Sequence, residues 1–238
     1  MFPFQLSRDE LQDRLGGGLP EGALVILEGG YGSGKSILLE RLLYGAVENG
    51  ASASVVSTEL TTASFLEQMY NLDYDVEEAL LGQRLVFVPV YPVFGWRAPK
   101  ADLLDKLLHA KRLFEKDLIA IDCFSSLLKN YIQAAHPGGL VDVSDKVEEA
   151  LYLFKLLNAQ GKTVILTIEP NELPPEVISA FQGAADVYLN MKLDVVGNTV
   201  SRSVLVRRFE RPAKAVGDII FFRVEPKVGF VVEIKSVS

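Results

Sequence analysis

Residues Gly29-Gly30-Tyr31-Gly32-Ser33-Gly34-Lys35-Ser36 fit the spacing G-x-x-x-x-G-K-[ST], which holds phosphate groups when it joins a strand to a helix. The run Ala23 to Glu28 before it reads as a buried strand, and the run Ile37 to Val47 after it reads as a helix. That setting gives the spacing its weight. Glycines let several backbone N–H groups curl around one anion at the positive end of the following helix. Lys35 would then reach the β- and γ-phosphates of a nucleotide and Ser36 would ligate Mg²⁺, the plain alternative being a glycine-rich turn. The expected contact set is Gly30, Tyr31, Gly32, Ser33, Gly34, Lys35, Ser36 and Ile37.

A phosphate loop that works with Mg²⁺ needs a second carboxylate, and hydrolysis needs a group that orients water. Asp122 closes the apolar run Leu118 to Ile121, the setting of a metal-holding aspartate; a helix cap is its other reading. Glu59 closes a second strand just ahead of Leu60-Thr61-Thr62. In a parallel sheet all strand C-termini open onto one crevice, so Glu59 is placed to accept a proton from water, unless it is a solvated turn residue. Glu169, after the strand Thr163 to Ile168, faces the same crevice, where an acid is an odd neighbour for anionic oxygens. Arg207, Arg208, Arg211 and Lys214 cluster late in the chain, either reaching a nucleotide on a neighbouring subunit or lying solvated at a strand end.

These groups need a scaffold, and the hydrophobic pattern supplies one. Ser7 with Glu10 forms a capping-box pattern, predicting a short helix from Arg8 to Leu15 that stops at Gly16-Gly17-Gly18. Strands are expected at Ala53 to Thr58, at Leu85 to Val90 with Pro89 marking an edge or end, at Asp117 to Asp122 and at Thr163 to Ile168. Between them Thr61 to Tyr70, Leu103 to Phe114 and Val147 to Leu157 repeat their apolar residues at helical spacing. Short apolar strands alternating with helices give a mainly parallel sheet covered on both faces. From Asp186 the texture changes to strands joined by turns: Val187 to Leu189, Val204 to Val206, Asp218 to Val224 and Phe230 to Ile234, with Glu225 to Gly229 as a hairpin connection. An antiparallel extension at one edge of the sheet is expected. The fold class is therefore α/β.

A chain of 238 residues with 49% hydrophobic content and no dividing linker is expected to form a single domain over 1–238. Its apolar runs are strand length, so direct membrane insertion is not expected. The N-terminus lacks the basic start and apolar stretch of a secretion signal, and Cys123 is the single cysteine, so the cytoplasm is expected. His109 and His136 lie far from other soft ligands and read as surface or loop residues rather than zinc ligands. A net charge of −7 weighs against a nucleic-acid polymer as ligand. The two stretches where DNA-binding loops would fall are Asn130 to Asp145, which has no Lys or Arg, and Glu169 to Asp186, whose charges are all acidic.

Leu15-Gly16-Gly17-Gly18-Leu19-Pro20, Ser57-Thr58-Glu59 and Ile121-Asp122-Cys123-Phe124-Ser125-Ser126-Leu127 together resemble the RecA-like ATPases, especially the KaiC branch. Asp9-Glu10-Leu11, Thr58 to Phe65 and Gly95-Trp96-Arg97 resemble more closely still the family of ATP-binding subunits of the archaeal flagellum motor. The resemblance spans nearly the whole chain. It implies a RecA-like fold, ATP with Mg²⁺ at the loop, Asp122 as the second metal residue and Glu59 as the catalytic carboxylate. It also implies a homo-oligomer, a hexameric ring being one form open to it, at the cytoplasmic base of the motor. There it would contact the motor ATPase and the membrane platform protein and lie peripheral to the membrane. KaiC-like enzymes carry paired glutamates after strand two, whereas here Thr58 precedes the single Glu59; their basic trans motif is also not reproduced at Arg207 to Lys214. Weak or absent hydrolysis is therefore expected, with ATP acting as a conformational ligand. The alternatives are an autonomous KaiC-like ATPase or kinase and a RecA-type DNA-dependent ATPase.

Overall fold

The computed structural model describes residues 1–90, 102–135, 144–196, 199–217 and 219–233. Four apolar runs become strands buried along their whole length, as sequences covered on both faces must be: β1 (Leu24–Gly29), β2 (Ala53–Ser57), β4 (Leu118–Asp122) and β5 (Thr163–Ile168). β3 (Leu85–Pro89) is only partly buried and forms the edge of the sheet, where the missing N–H of Pro89 costs nothing. Four longer or later strands follow: β6 (Val187–Val196), β7 (Thr199–Phe209), β8 (Ile219–Glu225) and β9 (Gly229–Glu233). All nine form one sheet in the order β3-β2-β4-β5-β1-β6-β7-β8-β9. From β3 to β6 the pairs are parallel and from β6 to β9 antiparallel, so the parallel core with an antiparallel extension is as the pattern predicted.

The strand period of two sorts neighbouring residues onto opposite faces. Val25 and Leu27 join one core, with α2 (Lys35–Glu48), α3 (Thr62–Asn71), the short α1 (Leu11–Arg14) and α4 (Glu77–Leu81). Leu24 and Ile26 join the other, under α5 (Asp102–Leu108), α6 (Phe124–Ala135), α7 (Ser144–Ala159) and α8 (Pro175–Ala184). Val204, Ile220, Phe222 and Phe230 of the extension belong to the α2 side, so that the antiparallel strands lie against the glycine loop. Among the described residues no helix is long and apolar enough to cross a membrane.

Three local expectations need correction. The first helix begins at Leu11, not Arg8, and the Ser7 capping box does not form. Asp9 is drawn into the interior by Arg41 and itself accepts the N–H of Leu11, which sets the start three residues late. The amphipathic stretch Leu103 to Phe114 divides into α5 and a 3₁₀ turn, Lys111–Glu115. Helices α4 and α8 had no counterpart in the sequence reading, and α6 had one only in the alternative that Asp122 caps a helix; α6 and α8 complete the crossovers that a parallel sheet requires. Gly95-Trp96-Arg97, His136, Asp218 and Ile234 lie outside the described residues.

Candidate functional site

The loop between β1 and α2 turns because Gly32 and Gly34 take φ values of 75° and 96°, a left-handed conformation open to glycine. Gly34 is also the N-cap of α2, and a β-carbon there would stand 2.9 Å from the ring of Phe222. The helix that follows has no acidic residue in its first turn and no side-chain cap. Its first N–H groups and the positive end of its dipole therefore have no acid of their own turn to meet.

Parallel strand order brings the remaining groups to this loop. Tyr31, Gly32, Gly34, Lys35, Ser36 and Ile37 line a cavity of about 360 Å³, joined by Glu59 after β2, Cys123 after β4 and Glu169 after β5. Gly30 is half-buried and Ser33 buried. The Gly30 carbonyl accepts from Ser33 N at 3.2 Å, and among the described residues the buried Ser33 Oγ and Thr58 Oγ1 have no hydrogen-bond partner. Glu59 is exposed at the cavity edge.

Asp122 sits beneath the cavity, 3% exposed. Ser36 Oγ donates to its Oδ1 at 3.1 Å and Thr167 Oγ1 to the same oxygen at 2.8 Å. Burial raises the Asp122 carboxyl above the usual carboxylate range, and these two donors partly offset the rise. Cys123 follows with φ of 56°, its N–H donating to Thr167 Oγ1 at 2.6 Å, and burial pushes its thiol up. Ser36 and Asp122 offer the hard oxygens that Mg²⁺ takes, with the remaining positions of such an ion left to water and phosphate. The residues present fit a magnesium nucleotide.

Lys35 is held inward. Its Nζ donates to Gly29 O at 2.6 Å, Gly30 O at 3.0 Å and Glu169 Oε2 at 3.3 Å, with the side chains of the pair 10% and 4% exposed. Glu169, which looked out of place from sequence, is thus the counter-ion of the loop lysine. Next to it Glu172 accepts from Ser125 Oγ and Ser126 Oγ, each at 2.9 Å, from Tyr31 Oη at 3.0 Å and from Lys129 Nζ at 3.2 Å. Burial works against its charge, yet these four donors hold its carboxyl below the usual range; in return Tyr31 is raised to about 12.

Glu172, Thr167 and Arg202, whose Nε donates to Gly32 O at 3.0 Å, were not found from sequence. Thr167 carried the one available signal, a hydroxyl near the end of a buried strand. The late basic cluster divides. Arg208 Nη1 donates to the carbonyls of Gln182, Gly183 and Ala185, closing α8, and Lys214 pairs with Asp13. Arg207 and Arg211 are exposed.

This sheet order around a glycine loop defines a P-loop ATPase domain of the KaiC and RecA type, and a family model described as the KaiC ATPase matches residues 9–234. The archaeal flagellar ATP-binding protein FlaH of Methanocaldococcus jannaschii is 36% identical over 234 residues, covering 98% of this chain and 96% of that one. The crystal structure of the flagellar accessory protein FlaH from the same organism matches with a TM-score of 0.88 at 34% identity, over 99% of this chain and 100% of that one. A KaiC-like protein of Pyrococcus horikoshii shares the fold, with a TM-score of 0.72 at 22% identity over 98% of this chain and 99% of that one. The chain belongs to the KaiC family of ATPases and, within it, to the FlaH proteins.

Proposed function

We propose that the chain, acting as one unit over 1–238, is an ATP-binding regulatory and assembly subunit of the archaeal flagellum motor. The observation that carries this reading is the near full-length likeness to proteins named FlaH, joined to a loop whose helix end, lysine and Ser36–Asp122 pair suit a magnesium nucleotide. The N–H groups of Gly30 to Ile37 and the ammonium of Lys35 take the phosphates. Ser36 and Asp122 would hold Mg²⁺; the ion, when bound, supplies charge neutralisation. Glu59 orients water. It is exposed and stands as a single carboxylate after Thr58, which supports weak or no intrinsic hydrolysis.

Nucleotide binding then favours one assembly over another by its differential affinity for them. The chain works in the cytoplasm as a homo-oligomer, peripheral to the membrane through the motor ATPase and the membrane platform protein, and binds no nucleic acid. The test measures Mg-ATP binding and turnover together with oligomer mass, with and without the motor ATPase. Micromolar binding, slow turnover and a nucleotide-dependent complex with the motor ATPase are expected. A folded chain that binds no nucleotide at millimolar concentration overturns the reading. Brisk turnover without the partner favours an autonomous ATPase, and labelled phosphate on the protein favours a kinase.

A further inference from the structure

We infer that Glu169 is an internal competitor for the terminal phosphate, a buried carboxylate that occupies Lys35 and so sets how far the site prefers a nucleoside triphosphate over a diphosphate. The inference rests on the nucleotide reading above. Lys35 has three donors, and all three are engaged, two by the loop carbonyls of Gly29 and Gly30 and one by Glu169 Oε2. A phosphate can claim the ammonium only by displacing some of these.

Glu169 is tethered beside the lysine. Its Oε1 accepts from Asn171 Nδ2 at 3.0 Å, and its backbone N–H donates to Ser125 Oγ at 3.0 Å. The turn it begins is pinned again at Glu172 by α6 and by Tyr31. With 4% of its side chain exposed, the carboxylate is left close to the lysine head and facing the arriving anion. Removing one partner of a buried pair leaves an uncompensated charge, and a like charge nearby adds repulsion. The repulsion grows with negative charge near the lysine head. The lysine reaches the β- and γ-phosphates, so the penalty falls more heavily on a triphosphate than on a diphosphate.

The experiment is calorimetric titration of the full chain with Mg-ATP, Mg-ADP and magnesium tripolyphosphate, comparing wild type with Glu169→Gln and Glu169→Asp. Glutamine keeps the size and the acceptor for Asn171 and removes the charge. It is expected to tighten Mg-ATP and tripolyphosphate about tenfold and Mg-ADP less than threefold. Aspartate keeps the charge near the phosphates and should gain less than glutamine for the triphosphates. Thermal unfolding without nucleotide reads whether each variant is folded. Equal tightening of ATP and ADP, or weaker ATP binding by a folded Glu169→Gln chain, overturns the inference alone. A wild-type chain that binds none of the three overturns the functional reading and this inference with it.

Discussion

Helix α2 carries two cations, Lys35 and Arg41, each bonded to a carboxylate from a remote part of the chain, and the two pairs are built for opposite ends. Arg41 is locked: Nε and Nη2 grip the two oxygens of Asp9 at 2.6 and 2.7 Å, Nη1 donates to Phe4 O at 2.9 Å, and the paired side chains are 0% and 1% exposed. Gly45 lets Phe4 approach, since a β-carbon there would stand 2.3 Å from its carbonyl oxygen. The planar guanidinium matches the carboxylate fork, so this pair fastens the N-terminal segment to the core. Lys35 is a point charge that shares its donors between loop carbonyls and one oxygen of Glu169 at 3.3 Å, at the wall of a cavity. A strap needs every donor matched and dry, whereas a cation with the role proposed for Lys35 needs partners it can exchange.

Breaking the strap should have the largest effect. Asp9→Ala leaves the Arg41 charge buried and is expected to cost about 3–5 kcal/mol of stability in denaturant unfolding. Where the chain stays folded, Mg-ATP affinity should hold within about twofold, because the sites are separate. A large loss of affinity would join the two pairs into one system and end the contrast. Lys35→Ala should do the reverse, lowering Mg-ATP affinity about 100-fold or more while the chain remains folded. Glu169 keeps its bonds to Asn171 in that variant, so less stability should be lost than with Asp9→Ala. Unchanged affinity in a folded Lys35→Ala chain would remove the lysine from the site.

Glu40 offers a third case on the same helix. It is 4% exposed and, among the described residues, its two oxygens accept from Gln68 Nε2 at 2.9 and 2.8 Å and from neither cation. Burial raises its carboxyl from 4.5 to about 8, the Gln68 bond opposes the rise and the charge of Asp122 adds to it. A raised folded-state value means that its contribution is whole below pH 4.5 and is lost as pH rises through 8. Glu40→Gln should flatten that decline and gain on the order of 2 kcal/mol at pH 8. An unchanged pH profile would show that the acid is already matched by a charge. The smallest effect is expected at Arg208, another structural cation: Arg208→Ala should cost about 1 kcal/mol by uncapping α8, while Arg207→Ala leaves unfolding unchanged. Equal costs would erase the division within the basic cluster.

Much of this was legible along the chain because its signals are local. The glycine loop, the strand before it and the helix after it are contiguous, and the apolar runs at Val55, Ile119 and Ile165 named their strands through composition alone. Asp122 and Glu59 followed from strand ends in a parallel sheet. Glu169 was placed at the right crevice but given no partner, since its charge looked wrong for a phosphate site. Helix α8 was missed at Pro174-Pro175, where the prolines open the helix instead of breaking it.

Sequence by itself determined which residues form the glycine loop and which strands are buried, because backbone preference and hydrophobic period act over a few residues. Tertiary structure alone decided which distant charges meet. Lys35 finds Glu169 134 positions away because β5 lies beside β1, and Gly32 finds Arg202 170 positions away because the antiparallel strands lie against the loop. No local period records those neighbours. They follow from strand order, which is settled by packing both faces of the sheet at once, and that order converts an isolated acid into the partner of the loop lysine.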